Sequence, residues 1–287
     1  MSSVWQRSRA AGLDDLPLRV LPLGVLRARV AALGGGSSVH LIERHARAYR
    51  HAWWVLLSGF FEPLFYLLSI GVGIGGLVGT VTGPGGRVVG FTSFVAPALL
   101  ATSSMNGAVM DSTFNVFFRL KYSKSYDAAL ATPMRSGDLA LGEVGWALIR
   151  GGLYAIAFLV IMLAMGLAHS AWVAAALPTA LLIGFAFAGA GMAATTFMRS
   201  WQHLEFVMLA TLPMFLFSTT FFPLSVYPRP LQIIVECTPL YQGVVLMRGL
   251  TLGVVGPAML WHAAYLALMG VAGLYLAGRR ITRLLLR

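Results

Sequence analysis

Three carboxylates stand where charge is expensive. Glu62, Asp111 and Glu143 lie within, or at the end of, long apolar stretches. An ionised group at the centre of a membrane-spanning helix costs about 2.5–3.5 kcal/mol on insertion scales, so such a residue faces protein or water rather than lipid. Two roles suit these acids. They can contact a transported substrate or form a gate, or they can make interhelical hydrogen bonds to Ser, Thr, Asn106 or Arg150. Residue types and spacing leave both open.

Other chemistries fail on spacing. A divalent-metal site for diphosphate chemistry needs clustered carboxylates. Of the ten acidic residues only Asp14 and Asp15 adjoin, and both sit in the N-terminal tail. The six histidines form no metal-ligand pairing with acids inside any apolar stretch, and no Ser/His nucleophile motif stands out. The run "GVGIGG", Gly71–Gly76, fits GxGxxG, but a dinucleotide site requires a preceding strand and an acid about 20 residues on. Here the next acid is Asp111. Gly71, Gly75 and Gly79, four residues apart, suit close helix packing instead. A phosphate-binding loop needs Gly-Lys-Ser/Thr, and the only lysines, Lys121 and Lys124, follow Leu120 and Ser123. The expectation is a chain with no catalytic, cofactor or metal site of its own, with any ATP handled by another chain. A single cysteine, Cys237, allows no internal disulfide.

The elements that must carry the three acids are membrane spans. The chain is 58% hydrophobic and 11% charged, with a mean hydropathy of +0.78, too apolar for a soluble domain of 287 residues. No Asp, Glu, Lys or Arg occurs in 88–110, 151–198, 206–228 or 250–278, and about 20 apolar residues of helix cross a bilayer. The 151–198 run is long enough to cross twice, with its break at 166–171 around His169 and Ser170. This predicts an all-α membrane protein with six spans, near 52–77, 88–115, 138–166, 171–197, 204–226 and 256–278. Basic residues orient it. With the N-terminus cytoplasmic, the tail, the 116–137 loop, Arg199 and the C-terminal Arg279, Arg280, Arg283 and Arg287 all lie inside, and only Arg87, Arg229 and Arg248 lie outside. Both termini are therefore expected in the cytoplasm. The net charge of +11 reflects that topology and attraction to anionic lipid, not nucleic-acid binding.

Three polar or broken segments flank the spans. Residues 1–37 read as a weakly structured extension ending in the flexible "GGGSS" of 34–38, with no cleavable signal peptide visible. Then "VHLIERHARAYRHAWW" places Ile42, Ala46, Tyr49 and Trp53 at helical spacing with Arg44, Arg47 and Arg50 elsewhere, a pattern for an interfacial helix leading into the first span. The insert "RLKYSKSYDAALATP", 119–133, is predicted to be helical, with Tyr122, Tyr126 and Leu130 on one face and Lys121, Lys124 and Asp127 off it. Such a helix can lie on lipid or dock into a partner. Outside, 222–256 is too apolar for a free loop and too proline-broken for a span, so two short helices near 229–237 and 240–250 are expected to dip into the outer leaflet.

Four stretches resemble the permease subunits of ABC-2 type exporters, particularly those of the nodulation lipo-oligosaccharide and daunorubicin-type drug exporters. They are "EPLFYLLSIGVGIG", "VAPALLATSSMNGAVMDSTF", "RLKYSKSYDAALATPMRSGDLALGE" and "CTPLYQGVVLMRGL". The resemblance covers roughly residues 40–280. It implies a transmembrane domain over 38–287, paired with a second permease copy or a paralogous permease in the bacterial plasma membrane. A separate nucleotide-binding ATPase subunit would hold ATP and Mg. It would be gripped by an interfacial helix, about Val39–His51 (with Ile42, Arg44, Arg47, Tyr49 and Arg50), and by a coupling helix, about Arg119–Leu130. In that helix Tyr122, Tyr126 and Leu130 would pack on the ATPase, while Arg119, Lys121, Lys124 and Asp127 supply polar contacts. Asp111 stands where relatives commonly carry Glu. The implied activity is ATP-driven export of an amphipathic substrate, a lipid-linked saccharide or hydrophobic drug, from the cytoplasm or inner leaflet. The alternatives are an ion-coupled secondary transporter using Glu62 or Asp111, and a non-transporting membrane scaffold.

Overall fold

The structure, a computed structural model, describes residues 36–49, 61, 64–131, 134–168 and 170–285. Glu62, Arg50 and most of the first predicted span lie outside the described residues, as do the side chains of Arg47, Tyr49 and Leu130.

The chain is built almost wholly of helices. An N-terminal helix α1 (Gly36–Tyr49) is followed by α2 (Leu64–Val78). A small antiparallel hairpin, β1 (Thr80–Thr82) and β2 (Val88–Gly90), leads into α3 (Phe91–Met110). One widened turn over Asp111–Asn115 connects α3 to α4 (Val116–Lys121) without breaking the helical path. The short α5 (Ser125–Leu130) precedes the long α6 (Ser136–Ala164). A tight turn at Ala171–Ala175 opens α7 (Ala176–Thr195). Then come α8 (His203–Phe217), α9 (Arg229–Cys237), α10 (Pro239–Leu252) and α11 (Ala258–Leu285).

Among the described residues three helices are long and apolar enough to cross a membrane: Ser136–Ala164, Ala171–Thr195 and Ala258–Leu284. They coincide with the third, fourth and sixth predicted spans. The two predicted outer helices also appear, as α9 and α10, separated at Thr238-Pro239, where proline removes a backbone donor. Two expectations change. The predicted fifth span is helical only over His203–Phe217, shorter than the three spanning helices, because Ser218, Thr219 and Thr220 leave the helix and are buried as a bent segment. The second begins at Phe91 rather than 88, because Val88–Gly90 pairs with Thr80–Thr82. The hairpin had a signal in "TVTGPGGRVVG", β-branched residues flanking Pro-Gly-Gly.

Helices α3 and α7 form the centre. Val95, Ala96, Ala98, Ala101 and Met105 of α3 and Ile183, Ala186, Ala188 and Met192 of α7 have no exposed surface. Small residues permit this density. A Cβ on Gly189 of α7 would fall 2.5 Å from the Gly270 carbonyl oxygen of α11, so these two backbones pack in direct contact. Around that centre α6, α10 and α11 pack in turn, while α8 stands at the edge with only Leu204 fully buried. Large apolar side chains on α8, including Phe206, Leu209 and Leu212, are exposed, as befits a surface solvated by lipid rather than water.

Candidate functional site

Four charged residues, Asp111, Arg119, Glu143 and Arg150, pair across the contact between α3–α4 and α6. Asp111 opens the widened turn after α3, where Asn115 Nδ2 donates to Asp111 Oδ1 at 2.7 Å. Across the gap Arg150 of α6 pairs with the same carboxylate. Two turns further along, the order of charges reverses. Arg119 of α4 donates to Glu143 of α6, again as a direct ion pair. The two pairs follow from antiparallel packing: as α3–α4 descends eight residues, α6 ascends seven. Asp111 and Glu143 are both buried, so each faces the bundle, in agreement with the cost of exposing them to lipid. Each is held in an ion pair with an arginine of the facing helix.

The widened turn has local causes. Ser112 and Thr113 hydroxyls donate back to the Val109 carbonyl, at 3.4 and 2.6 Å, and such back-bonding loosens a helix. The Ser112 carbonyl accepts the Thr195 hydroxyl of α7 at 3.0 Å. A π-type turn of this kind commonly marks a functional position.

A histidine that sequence reasoning overlooked completes the second pair. His45 of α1 is buried, with Nε2 2.9 Å from Arg119 Nη1 and 3.3 Å from both Glu143 oxygens. A guanidinium can only donate and a carboxylate can only accept, so Nε2 lies between a donor, Arg119, and an acceptor, Glu143. Burial, followed by the nearby Arg119 and Arg44, lowers its pKa from 6.5 to about 4. Trp146, one turn along α6 from Glu143, lies against the ring with centroids 5.8 Å apart. No spacing rule reaches from 45 to 143. The only signal was a histidine on a helix otherwise rich in arginine.

α1 is seated by glycine. A Cβ at Gly142 would lie 3.0 Å from Leu41 and 3.1 Å from the Ser38 carbonyl, and one at Gly145 would lie 3.0 Å from Ile42. Gly36–Tyr49 is helical, so helix already covers the last residues of the "GGGSS" expected to be flexible, and Ser38 and Leu41 are buried. Its packed face is Ser38, Leu41, Ile42 and His45, one position off the predicted Ile42–Ala46 stripe. Arg44 and Ala46 are exposed. Packing against α6 rather than lipid alone explains the shift.

The insert at 119–133 also differs from a single helix. Lys124 adopts a left-handed conformation (φ 46°), and the Ser123 hydroxyl donates to that of Ser125 at 3.1 Å across the break. α4 thus ends at Lys121 and α5 starts at Ser125. Tyr122 and Tyr126 consequently do not share a face. Tyr122 is 62% exposed, whereas Tyr126 is 1% exposed and turned into the chain beside Glu143 and Arg119. Burial, then the Glu143 carboxylate, raises the phenol pKa well above its ordinary value. Lys121, Lys124 and Asp127 remain exposed. Beside Tyr122 an aromatic ledge forms, with Phe118 and Trp201 rings 5.1 Å apart and both partly open to the outside. The structure thus gathers Arg119, Glu143, Tyr126 and the unforeseen His45 into one buried node. It leaves Lys121, Tyr122, Lys124 and Asp127 as a surface.

Comparison with known proteins follows the same outline. Residues 38–252 match the family model for the ABC-2 type transporter. The chain is 32% identical to Nodulation protein J of Rhizobium leguminosarum bv. trifolii over 264 residues, covering 90% of this chain and 98% of that protein. It is 30% identical to Nodulation protein J of Sinorhizobium fredii over 232 residues, 80% of this chain and 87% of the relative. It is also 30% identical to that of Rhizobium meliloti over 201 residues, 69% and 74% respectively. The extent of the family match, with apolar helices of spanning length, establishes an integral membrane protein, and this chain belongs to the ABC-2 type transporter family.

Proposed function

We propose that this chain is the permease subunit of an ATP-driven exporter whose ATP and Mg are held by a separate subunit. The observation that carries this reading is the buried node of His45, Arg119, Tyr126 and Glu143. It ties α1, the α4–α5 corner and α6 into one unit, beneath an exposed surface of Lys121, Tyr122, Lys124 and Asp127. A force applied to that surface passes directly into α6 through the Arg119–Glu143 pair and into α3 through Arg150–Asp111. The ATPase would bind there, and its nucleotide-driven closure would shift the permease between inward-open and outward-open populations.

The rest of the assembly follows the family pattern. Six spans with cytoplasmic termini place α1 and α5 inside and α9 and α10 at the outer leaflet of the bacterial plasma membrane. A second permease, identical or paralogous, completes the pathway. Resemblance to Nodulation protein J favours an amphipathic cargo such as a lipid-linked saccharide, taken from the cytoplasm or inner leaflet.

A photo-crosslinking amino acid at Tyr122 tests the docking surface. Cross-linking at Tyr122 should capture a nucleotide-binding subunit, while the same probe at Leu153, on the apolar outside of α6, should capture none. Capture of lipid alone at both positions would contradict the assignment.

A further inference from the structure

The opposite end of the bundle holds a second buried charge with a different kind of partner. Arg248 of α10 is 5% exposed, and no carboxylate pairs with it among the described residues. Its guanidinium is held by neutral groups from two other elements. Nε donates to the Phe94 carbonyl of α3 at 3.1 Å, and Nη2 donates to the Thr219 carbonyl at 2.8 Å. Nη1 lies 3.4 Å from the Thr219 hydroxyl. The planar group also stacks over Phe94, 3.7 Å from the ring centre.

Thr219 is itself unusual. It lies directly after the end of α8 with φ 62°, a conformation that β-branched residues rarely adopt. Such strain persists only when the surroundings impose it. Ser218, Thr219 and Thr220 are all buried, and the Ser218 and Thr220 hydroxyls bond each other at 3.1 Å. Among the described residues the long-range polar tie to this strained segment is Arg248. α8 offers little other restraint, since only Leu204 is fully buried along it and Pro213 interrupts its hydrogen bonding.

We propose that Arg248 is a latch: it holds the strained Ser218–Thr220 hinge at the end of α8 against α3, and release of this contact frees α8 to move during transport. An arginine bonded to carbonyls suits this role better than an ion pair. Each carbonyl contact is weaker than a carboxylate contact, so the hinge can part from the arginine without an ion pair being separated. Lysine, a point charge without the planar fork, reaches fewer of these acceptors.

The transport consequence rests on the permease reading, but the latch can be tested without nucleotide. Cys237 is exposed, so it is first replaced by serine. A single cysteine is then placed at Ser218, and in a parallel protein at Ser104, buried in α3. Maleimide labelling is followed in native membranes. With Arg248 intact both sites should react slowly. With Arg248→Met, Ser218→Cys should react about tenfold faster or more, as expected when hydrogen bonds to a charged group that hold a local opening closed are lost. Ser104→Cys should stay protected, and Arg248→Lys should give an intermediate rate at Ser218→Cys. An unchanged rate at Ser218→Cys would overturn the latch. Equal acceleration at Ser104→Cys would also overturn it, since Arg248 would then support the whole fold rather than the hinge. Vanadate trapping of the assembled complex should accelerate Ser218→Cys with Arg248 present. If that acceleration fails while the nucleotide-free result holds, the failure bears on the permease reading and not on the latch.

Discussion

At the scale of residues, the two ion pairs between α3–α4 and α6 set what each substitution does. Removing one member of a buried pair leaves an uncompensated charge and costs about 3–5 kcal/mol, whereas replacing both with apolar groups is often close to neutral. Asp111→Leu or Arg150→Leu alone should therefore lower thermal stability sharply in detergent, while the double change should recover most of the loss. An additive double mutant would show that the two side chains do not interact. His45 gives a pH signature. Its folded pKa of about 4 lies below the ordinary 6.5, so the folded protein binds fewer protons than the unfolded chain between those values. The resulting stabilisation is complete above pH 6.5 and is lost as pH falls toward 4. The charged groups facing the ring are Arg119, Arg44 and Glu143. A plot of melting temperature against pH should accordingly be flatter for His45→Gln than for wild type over that window. Parallel curves would contradict a neutral, buried His45.

At the scale of elements, packing decides where helices begin, and this limited what the sequence could reveal. Long apolar runs, free of charge over 151–198 and 250–278, were enough to locate α7 and most of α6 and α11, because the period of apolar burial and the bilayer thickness act on every residue in the run. Proline spacing likewise located α9 and α10. The seat of α1 was not legible, since it depends on Gly142 and Gly145, about 100 residues away, admitting Leu41 and Ile42. Nor was the burial of Tyr126, which follows from a left-handed Lys124 that no propensity favours. Of the candidate residues, Asp111 and Glu143 were recognisable from the cost of their position. Their partners were only partly so: Arg150 was in reach of a helical argument, and His45 was not. Gly142→Leu tests the seat of α1. It should overpack the α1–α6 contact, costing about 1–3 kcal/mol, and make the 36–49 segment more susceptible to limited proteolysis. Gly137→Leu, where an added Cβ meets no atom within 4 Å, should change neither.

At the scale of the whole molecule, two polar centres sit at opposite ends of an otherwise apolar bundle. One joins α1, α4–α5 and α6 through charge pairs, and the other joins α3, α8 and α10 through Arg248. α3 belongs to both, since Asp111 closes its one end and Phe94 lies near its other. A displacement of α3 would thus register at both ends. In the six-span reading the first centre is cytoplasmic, and reporter fusions at the two termini should both be active only as cytoplasmic enzymes. The central claim is that this chain moves in response to ATP hydrolysed by a different subunit. Affinity purification of the tagged chain from its native membranes in mild detergent tests it most directly, with ATP hydrolysis measured in the eluate. A nucleotide-binding subunit should co-elute with vanadate-sensitive hydrolysis, and Tyr122→Ala with Asp127→Ala should release both together. A chain that elutes alone and without hydrolysis, under conditions that keep other membrane complexes intact, would contradict it.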